Sequence, residues 1–275
     1  MIDNLREYGI KLALQAGEIL LDIQSSGRSR PIGTKLSHMD LVTAGDLAAE
    51  ALLTQAIRER FPDHGIHAEE SAQDKLPDTD WTWFIDPVDG TTNYAHGLPL
   101  FAINVGVAYH GEPVLGITHA PALEATYWAE AGGGAWLRRR GHDYPISVSD
   151  TADLGRALLG TGYPYDRATN PDSNLVETLA LDIHAQGLRR LGTAALELAW
   201  VASGALDVFW QNRAQIWDWI AGAILVREAG GIVTDYAGQH WQPGHRSIIA
   251  CNGQAALHAQ VQSAIADARR AGALA

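Results

Sequence analysis

Two aspartates three positions apart, Asp86 and Asp89, interrupt the apolar run that begins at Trp83, and Gly90, Thr91, Thr92 and Asn93 follow directly. Residues of these types in this order can build a site for a hard cation. Residues 83–85 read as a buried strand. Asp86 at its end can direct a carboxylate into a cleft, Pro87 fixes the turn, and Asp89 returns a second carboxylate to the same point. Oxygen ligands with no Cys or His beside them suit Mg²⁺ better than zinc. Gly90, Thr91 and Thr92 can open a helix whose backbone N–H groups face a phosphate, so the implied chemistry is metal-assisted phosphoryl transfer. Asp-Pro and Asp-Gly are also ordinary turn formers, and the string alone is equally compatible with a structural loop. Two further acidic elements, His67-Ala68-Glu69-Glu70-Ser71 and Ile216-Trp217-Asp218-Trp219, each beside an apolar stretch, weigh against that simpler reading.

Carboxylates so far apart in the chain need a scaffold to bring them together. Leu5, Tyr8, Leu12, Ala16, Ile19 and Ile23 recur at helical steps and predict an amphipathic helix over the first 24 residues, stopped near Gly27. Residues 28–40, polar and carrying Pro31 and Gly33, read as a mobile loop. A second helix is expected over 44–60 with Leu47, Ala51, Leu52 and Ile57 inward and Pro62 ending it, so that two helices precede any strand. Residues 101–109 and 114–118 flank His110-Gly111-Glu112-Pro113 as a hairpin, and 126–130 with 135–137 form another, beyond which Arg138, Arg139 and Arg140 read as a solvated hairpin end. Past about residue 152, strands at 157–161, 188–191, 206–210, 232–234 and 248–251 alternate with helices at 174–186, from 193 and after Asp218. The expected fold class is α+β: one compact unit of two layered halves, 1–152 and 153–275, with the acidic clusters at their junction.

Composition narrows the partners. Acidic residues outnumber basic ones 32 to 20, and the net charge of -12 disfavours nucleic acid or an anionic membrane. One cysteine, Cys251, cannot form an internal disulfide and reads as a small core residue in a reducing compartment. The absence of a secretory pattern at the start and of any run of about 18 apolar residues adds to the expectation of a cytoplasmic protein. Trp217 and Trp219 are expected to wall the cleft and pack the following helix, and the histidines, which show no His-x-x-x-His spacing, to lie on the surface or in satisfied core positions.

In chain order, Asp40-Leu41-Val42-Thr43-Ala44-Gly45-Asp46, Glu69-Glu70-Ser71, Asp86 through Asn93, Gly192-Thr193-Ala194-Ala195, and Trp217-Asp218 through Glu228-Ala229-Gly230-Gly231 resemble the signatures of the inositol monophosphatase family over nearly the whole chain. The resemblance implies a layered α/β/α/β sandwich of the inositol monophosphatase/fructose-1,6-bisphosphatase type, Mg²⁺-dependent hydrolysis of small phosphate monoesters, frequent inhibition by lithium, and usually a homodimer. Haloacid dehalogenase-type enzymes separate their paired aspartates by one residue; here two intervene, and no lysine motif nearby completes that alternative.

Roles follow from the resemblance. Asp86 would bridge two metals, Glu69 and the Val88 carbonyl would complete one, and Asp89 and Asp218 the other. Thr91, oriented by Asp46, would position the attacking water, with Glu69 and Asp89 beside them in the catalytic set. Gly90 and Thr91 N–H groups would hold the phosphate, and Ala194, Gln211 and Asp218 would line the substrate. Lys35 resembles a family lysine near the site, although a solvated lysine fits equally well, and Glu70 is expected as neighbour to Glu69. Ala68 replaces a common glycine, and Gln211 stands seven residues before Asp218, where animal inositol monophosphatases have a glutamate that bonds sugar hydroxyls. The expected substrate is inositol 1-phosphate or a similar polyol or sugar phosphate. Fructose-1,6-bisphosphatase, histidinol-phosphatase and 3′(2′),5′-bisphosphate nucleotidase activities are alternatives on the same fold. A non-enzymatic regulatory interaction protein is disfavoured by the intact Asp86, Asp89, Asp218, Glu69 and Thr91.

Overall fold

The computed structural model describes residues 2–35, 40–72 and 75–272. Helix α1 (Ile2–Ser25) is followed by a two-stranded ribbon, β1 (Pro31–Thr34) and β2 (Leu41–Thr43), and then by α2 (Ala44–Arg60). Next come β3 (Gly65–Ala68), β4 (Trp81–Asp89), the five-residue helix α3 (Thr91–Ala95), β5 (Ala102–Tyr109), β6 (Glu112–Ala120), β7 (Ala125–Glu130), β8 (Gly134–Arg139) and β9 (His142–Ile146). These seven strands from β3 to β9 form one sheet in sequence order, with β3 parallel to β4 and every other pair antiparallel. The remainder comprises β10 (Leu158–Thr161), α4 (Leu175–Asp182), β11 (Gly187–Arg189), α5 (Ala194–Ala202), β12 (Val208–Asn212), α6 (Ile216–Glu228), β13 (Ile232–Thr234), β14 (Ser247–Cys251) and α7 (Ala255–Gly272). Its strands form a mixed sheet in the order β11-β10-β12-β14-β13.

Alternating side chains assign the layers. Trp83, Ile85, Val105, Val107, Leu115 and Ile117 of the long sheet join a core with Leu5, Leu12, Leu20, Leu53 and Ile57 from α1 and α2. The opposite face admits α6 at close range because glycines leave it room: a Cβ on Gly106 would stand 2.3 Å from Ile220 Cγ2, and one on Gly116 2.4 Å from the Ala221 carbonyl oxygen. Phe209 of β12 and Ala250 of β14 pack toward α5 and α6. Val208, Trp210, Ile249 and Cys251 face the other way, onto Leu181 of α4 and Leu257, Val261 and Ile265 of α7. The order is therefore helices, long sheet, helices, short sheet, with α4 and α7 adding a fifth layer.

Several expectations need correction. The segment 28–40 is not simply a loop: Pro31–Thr34 pairs with Leu41–Thr43, so strands precede α2, while residues 36–39 lie outside the described residues. Leu47 and Ala51 point to solvent, and α2 buries Ala49 and Leu53 instead, together with the expected Ile57. Arg138 is not a free hairpin end but bonds Asp143 and Glu7. Arg139 and Arg140 line a cavity of about 600 Å³ that includes none of the acidic site residues. Among the described residues, no helix is long and apolar enough to cross a membrane.

Candidate active site

The paired aspartates are set by a bulge. β4 does not stop at Ile85 but continues to Asp89, and its register against β5 jumps between Asp86, opposite Asn104, and Asp89, opposite Ala102. Pro87, with no N–H to give the ladder, falls inside the bulge. The Val88 N–H turns back to Asp86 Oδ1 at 2.9 Å. Gly90 then adopts φ +92°, and a Cβ there would stand 3.0 Å from the Leu100 carbonyl oxygen, so only glycine makes this turn into α3 without strain.

Each remaining acid is brought in by its own element. Glu69 and Glu70 occupy a single turn directly after β3, whose last residue, Ala68, pairs with Ile85 beside Asp86. Glu50 of α2 holds that turn by accepting the Glu70 N–H at 2.7 Å. Asp89 is clasped by the start of α5, since Thr193 Oγ1 and the Ala195 N–H each donate to its Oδ2 at 2.6 Å. Asp218 lies in the first turn of α6, not ahead of the helix, and its Oδ2 accepts the Gln215 N–H at 2.7 Å. Asn104 of β5 secures that turn by donating to the Trp217 carbonyl at 2.7 Å, while Thr118 Oγ1 donates to Asn104 Oδ1 at 2.8 Å.

Asp46, fully buried, takes the Thr43 N–H and hydroxyl on Oδ2 and the Thr91 hydroxyl on Oδ1 at 3.2 Å. Thr91 Oγ1 also lies 3.0 Å from the Val88 carbonyl. Lys35 spans the two glutamates, with Nζ 2.7 Å from Glu69 Oε1 and 2.6 Å from Glu70 Oε1.

This collection of acids is short of positive charge. Burial, reinforced by repulsion from Glu69 and Asp89, raises the pKa values of Asp86 and Asp218 well above the carboxylate range. Burial also pushes Asp89 up to about 6 despite its bonds from Thr193 and α5, and Glu70 up to about 7 despite Lys35. Burial opposes the charge on Lys35, but Glu69 and Glu70 more than offset it and raise its pKa. Among the described residues no three acidic, imidazole or thiol side chains stand close enough to form a ready-made coordination sphere.

The chain matches the inositol monophosphatase family over residues 1–270. It belongs to that family. It is 39% identical over 260 residues to an inositol-1-monophosphatase of Synechocystis, covering 94% of this chain and 88% of the relative. It is 37% identical over 247 residues to a fructose-1,6-bisphosphatase/inositol-1-monophosphatase of Thermotoga maritima, covering 90% and 91%. The solved inositol monophosphatase from Anabaena superposes with a TM-score of 0.84 at 38% identity, covering 97% of this chain and 96% of that one. The protein is thus an inositol monophosphatase-family phosphomonoesterase, with the mixed sheets and packed helices of that fold.

Within this family member, two residues expected on the substrate have local partners instead of an open face. The Ala194 N–H, at the start of α5, is directed at the Asp89 carboxylate. Gln211, buried on β12, takes the Trp219 Nε1 hydrogen on its Oε1 at 3.4 Å. Trp219 is fully buried and Trp217 nearly so, packed as part of the core around α6. Sequence reasoning missed Thr193, Asn104 and Glu50, which hold Asp89, the Asp218 turn and the glutamate turn respectively. Thr193 carries a local signal, being the N-cap of α5 with its hydroxyl toward the Leu196 N–H, whereas Asn104 and Glu50 act only across the fold.

Proposed function

We propose that this chain hydrolyses inositol 1-phosphate and related polyol or sugar phosphates with Mg²⁺ as cofactor. The observation that carries the reading is the junction itself: Glu69 of the turn after β3, Asp86 and Asp89 of β4 and Asp218 of α6 act on one another electrostatically beside the Thr91–Asp46 pair. An all-oxygen donor set with uncompensated negative charge fits a hard divalent cation, and Glu69, Asp86, the Val88 carbonyl, Asp89 and Asp218 are the groups that would hold it. Bound there, Mg²⁺ would neutralise phosphate charge and make water more acidic.

The chain's own residues supply orientation and a proton path. Thr91 has one hydroxyl proton, directed to Asp46 or to the Val88 carbonyl, so its lone pairs are left to accept a hydrogen bond from the attacking water. Thr43 occupies Asp46 Oδ2 and leaves Oδ1 to Thr91. As the water oxygen bonds to phosphorus, its proton passes to Thr91 while the Thr91 proton moves to Asp46, whose proton affinity burial raises above that of an ordinary aspartate. The ester P–O bond breaks and the alcohol leaves, protonated from solvent. Because α3 spans only five residues, the Gly90 and Thr91 N–H groups act on the phosphate as local donors more than through a helix dipole. Lys35 spans and orients the two glutamates, with Glu70 behind Glu69.

Other parts of the reading rest on further features. An exposed apolar stripe on and just beyond α4, Leu175, Val176, Leu179 and Ile183, supports a homodimer. The buried free thiol of Cys251 and the absence of a membrane-crossing helix among the described residues support a cytoplasmic setting. Lithium inhibition rests on the family resemblance alone. Fructose 1,6-bisphosphate is a second substrate reading, favoured by the neutral Gln211 in place of a carboxylate.

The test is phosphate release from inositol 1-phosphate, fructose 1,6-bisphosphate, histidinol phosphate and adenosine 3′,5′-bisphosphate, each with Mg²⁺ and with a chelator. Mg²⁺-dependent release, strongest for inositol 1-phosphate, is expected. Release that persists in chelator would refute the metal assignment, and preference for the adenosine ester would refute the substrate.

A further inference from the structure

Asn93 ends the string that begins at Asp86, and its side chain ties together three segments that meet beside Asp89. Nδ2 donates to the Leu100 carbonyl and to the Leu191 carbonyl, each at 2.7 Å. The first bond stays within the approach to β5. The second crosses 98 residues to the turn that leads into α5. Glu197, buried on α5, holds the same turn by accepting the Leu191 N–H on Oε1 at 3.3 Å. Both backbone polar groups of Leu191 are therefore fixed by side chains of two different helices, α3 and α5.

The turn itself leaves little slack. Gly192 has φ +79°, and a Cβ there would stand 3.3 Å from Asn93 Nδ2, so the carboxamide packs directly on it. A Cβ on Gly90 would stand 3.3 Å from the Gly192 carbonyl oxygen and 3.3 Å from Thr193 Cβ. Held in this way, the turn delivers its next residues to Asp89, where Thr193 Oγ1 and the Ala195 N–H both donate to Oδ2 at 2.6 Å. Two donors fill the lone pairs of that oxygen and leave Oδ1 as the one for a cation. The Ala195 N–H lies in the first turn of α5, where the helix offers it no carbonyl, so Asp89 is its partner.

We propose that Asn93 is a positioning residue for the metal site: its carboxamide sets the Leu191–Gly192 turn and, through Thr193 and Ala195, fixes which oxygen of Asp89 meets Mg²⁺. The inference rests on the metal-dependent phosphatase reading and deepens it. Asn93 supplies no ligand and acts by holding the turn. The amide is what the position requires, since a carboxylate of the same shape has no hydrogens to give two carbonyls.

The experiment measures Mg²⁺ binding by calorimetry for the wild type, Asn93→Ala, Thr193→Ala and the double variant, together with hydrogen exchange of the Ala195 amide in Mg²⁺-free protein. Asn93→Ala should weaken Mg²⁺ binding about threefold to tenfold, the value of one neutral hydrogen bond and less than the roughly 10–100-fold typical of groups bonded to the ligand itself. In the Thr193→Ala background the added loss should shrink to about twofold, because the two residues act through one carboxylate. The Ala195 amide of Asn93→Ala should exchange about tenfold faster, beyond any change at Val105 in the long sheet. If Asn93→Ala does not fold, Asn93→Ser, which keeps a shorter donor, decides the same comparisons with smaller shifts. Unmoved Mg²⁺ affinity overturns the inference, as do equal losses in both Thr193 backgrounds or equal acceleration at Ala195 and Val105, which would mark Asn93 as a support of the fold alone. A wild type that binds no Mg²⁺ overturns the metal reading and this inference with it, whereas a wild type that binds Mg²⁺ no more tightly than Asn93→Ala overturns this inference alone.

Discussion

The starts of α2 and α6 are built alike, and they end up doing different things. In each, the aspartate at the third helical position folds back onto the residue ahead of the helix: Asp46 Oδ2 accepts the Thr43 N–H at 2.8 Å, and Asp218 Oδ2 accepts the Gln215 N–H at 2.7 Å. What differs is the remaining capacity of the carboxylate. Asp46 receives two further donors, the hydroxyls of Thr43 and Thr91, while Asp218 has only the cap among the described residues and looks toward Glu69 and Asp89. A saturated carboxylate positions its neighbour, and an unsaturated one surrounded by like charge is available to a cation. In the proposed mechanism a single capping motif thus furnishes both a water-orienting group and a metal ligand, and the choice is made by what packs around it.

The sharpest way to break this comparison is to neutralise both acids in turn. Asp218→Asn should keep the fold, because the amide oxygen can still accept the Gln215 N–H, yet lower hydrolysis by more than the roughly 10–100-fold typical of groups behind the ligands and raise the Mg²⁺ concentration needed for activity. Asp89→Asn should behave the same way. A folded Asp218→Asn or Asp89→Asn enzyme with wild-type turnover would remove that residue from the metal set.

Asp46→Asn and Thr91→Ala should instead lower kcat by roughly 100-fold at an unchanged Mg²⁺ midpoint, the range for a positioned acid–base group. Asp46→Asn should also cost about 1–2 kcal/mol of stability, since the amide cannot accept from all three donors at once. Mg²⁺ titrations of activity beside urea unfolding separate the two helix starts. If Asp46→Asn shifts the Mg²⁺ midpoint as far as Asp218→Asn does, the distinction between them is wrong.

Activity that falls in acid could come from the site or from the fold, and His119 tells them apart. Its ring is buried where α1 crosses β6, with a Cβ on Gly17 only 2.7 Å from Nε2 and with Nδ1 2.9 Å from Thr126 Oγ1. Burial lowers its pKa from 6.5 to about 4. The unfolded chain therefore takes up this proton first, so the contribution to stability is complete above pH 6.5 and is lost as pH falls toward 4. The upper bound is about 3 kcal/mol. Urea unfolding of His119→Gln at neutral and acid pH should show a smaller acid loss than the wild type. Equal losses would place the acid sensitivity in the carboxylates of the site.

How far the sequence could be read follows the same division between local and distant causes. The span of α2, the glycine turn into α3 and the two hairpins of the long sheet are local, and they lie close to where spacing put them. The ribbon of Pro31–Thr34 and Leu41–Thr43 was not legible, because β1 is exposed along its whole length and carries no alternation. The edge strand His142–Ile146 is similarly exposed, carries Pro145, and was missed for the same reason. Leu47 misled because α2 is covered on one side by α1 and the long sheet, which leaves that position outside. In the site, the acids were legible from residue type beside apolar runs. The groups that hold them were not, because Thr193 reaches Asp89 across 104 residues and Asn104 reaches Trp217 across 113.

The smallest expected effect concerns the strand that feeds α6. Gln211 lies on β12 opposite Ile248, and its Oε1 already accepts from Trp219 one residue beyond Asp218. In the proposed mechanism the start of α6 serves the alcohol side of the site as well as the metal, whereas the start of α2 serves only the water side. Gln211→Glu keeps an acceptor for Trp219 and leaves a second, charged oxygen for a substrate hydroxyl, which an amide nitrogen cannot bind as an acceptor. Preference for inositol 1-phosphate over fructose 1,6-bisphosphate should rise by one charge-assisted hydrogen bond, about 1–2 kcal/mol or roughly tenfold in kcat/KM. Part of that gain is offset by placing one more negative charge near Asp218 and Asp89, so stability should fall while selectivity rises. Both changes can be read from the same preparation by substrate competition and thermal unfolding. Identical substrate ratios in the two proteins would mean that the amide at 211 serves Trp219 alone and that the alcohol is selected elsewhere.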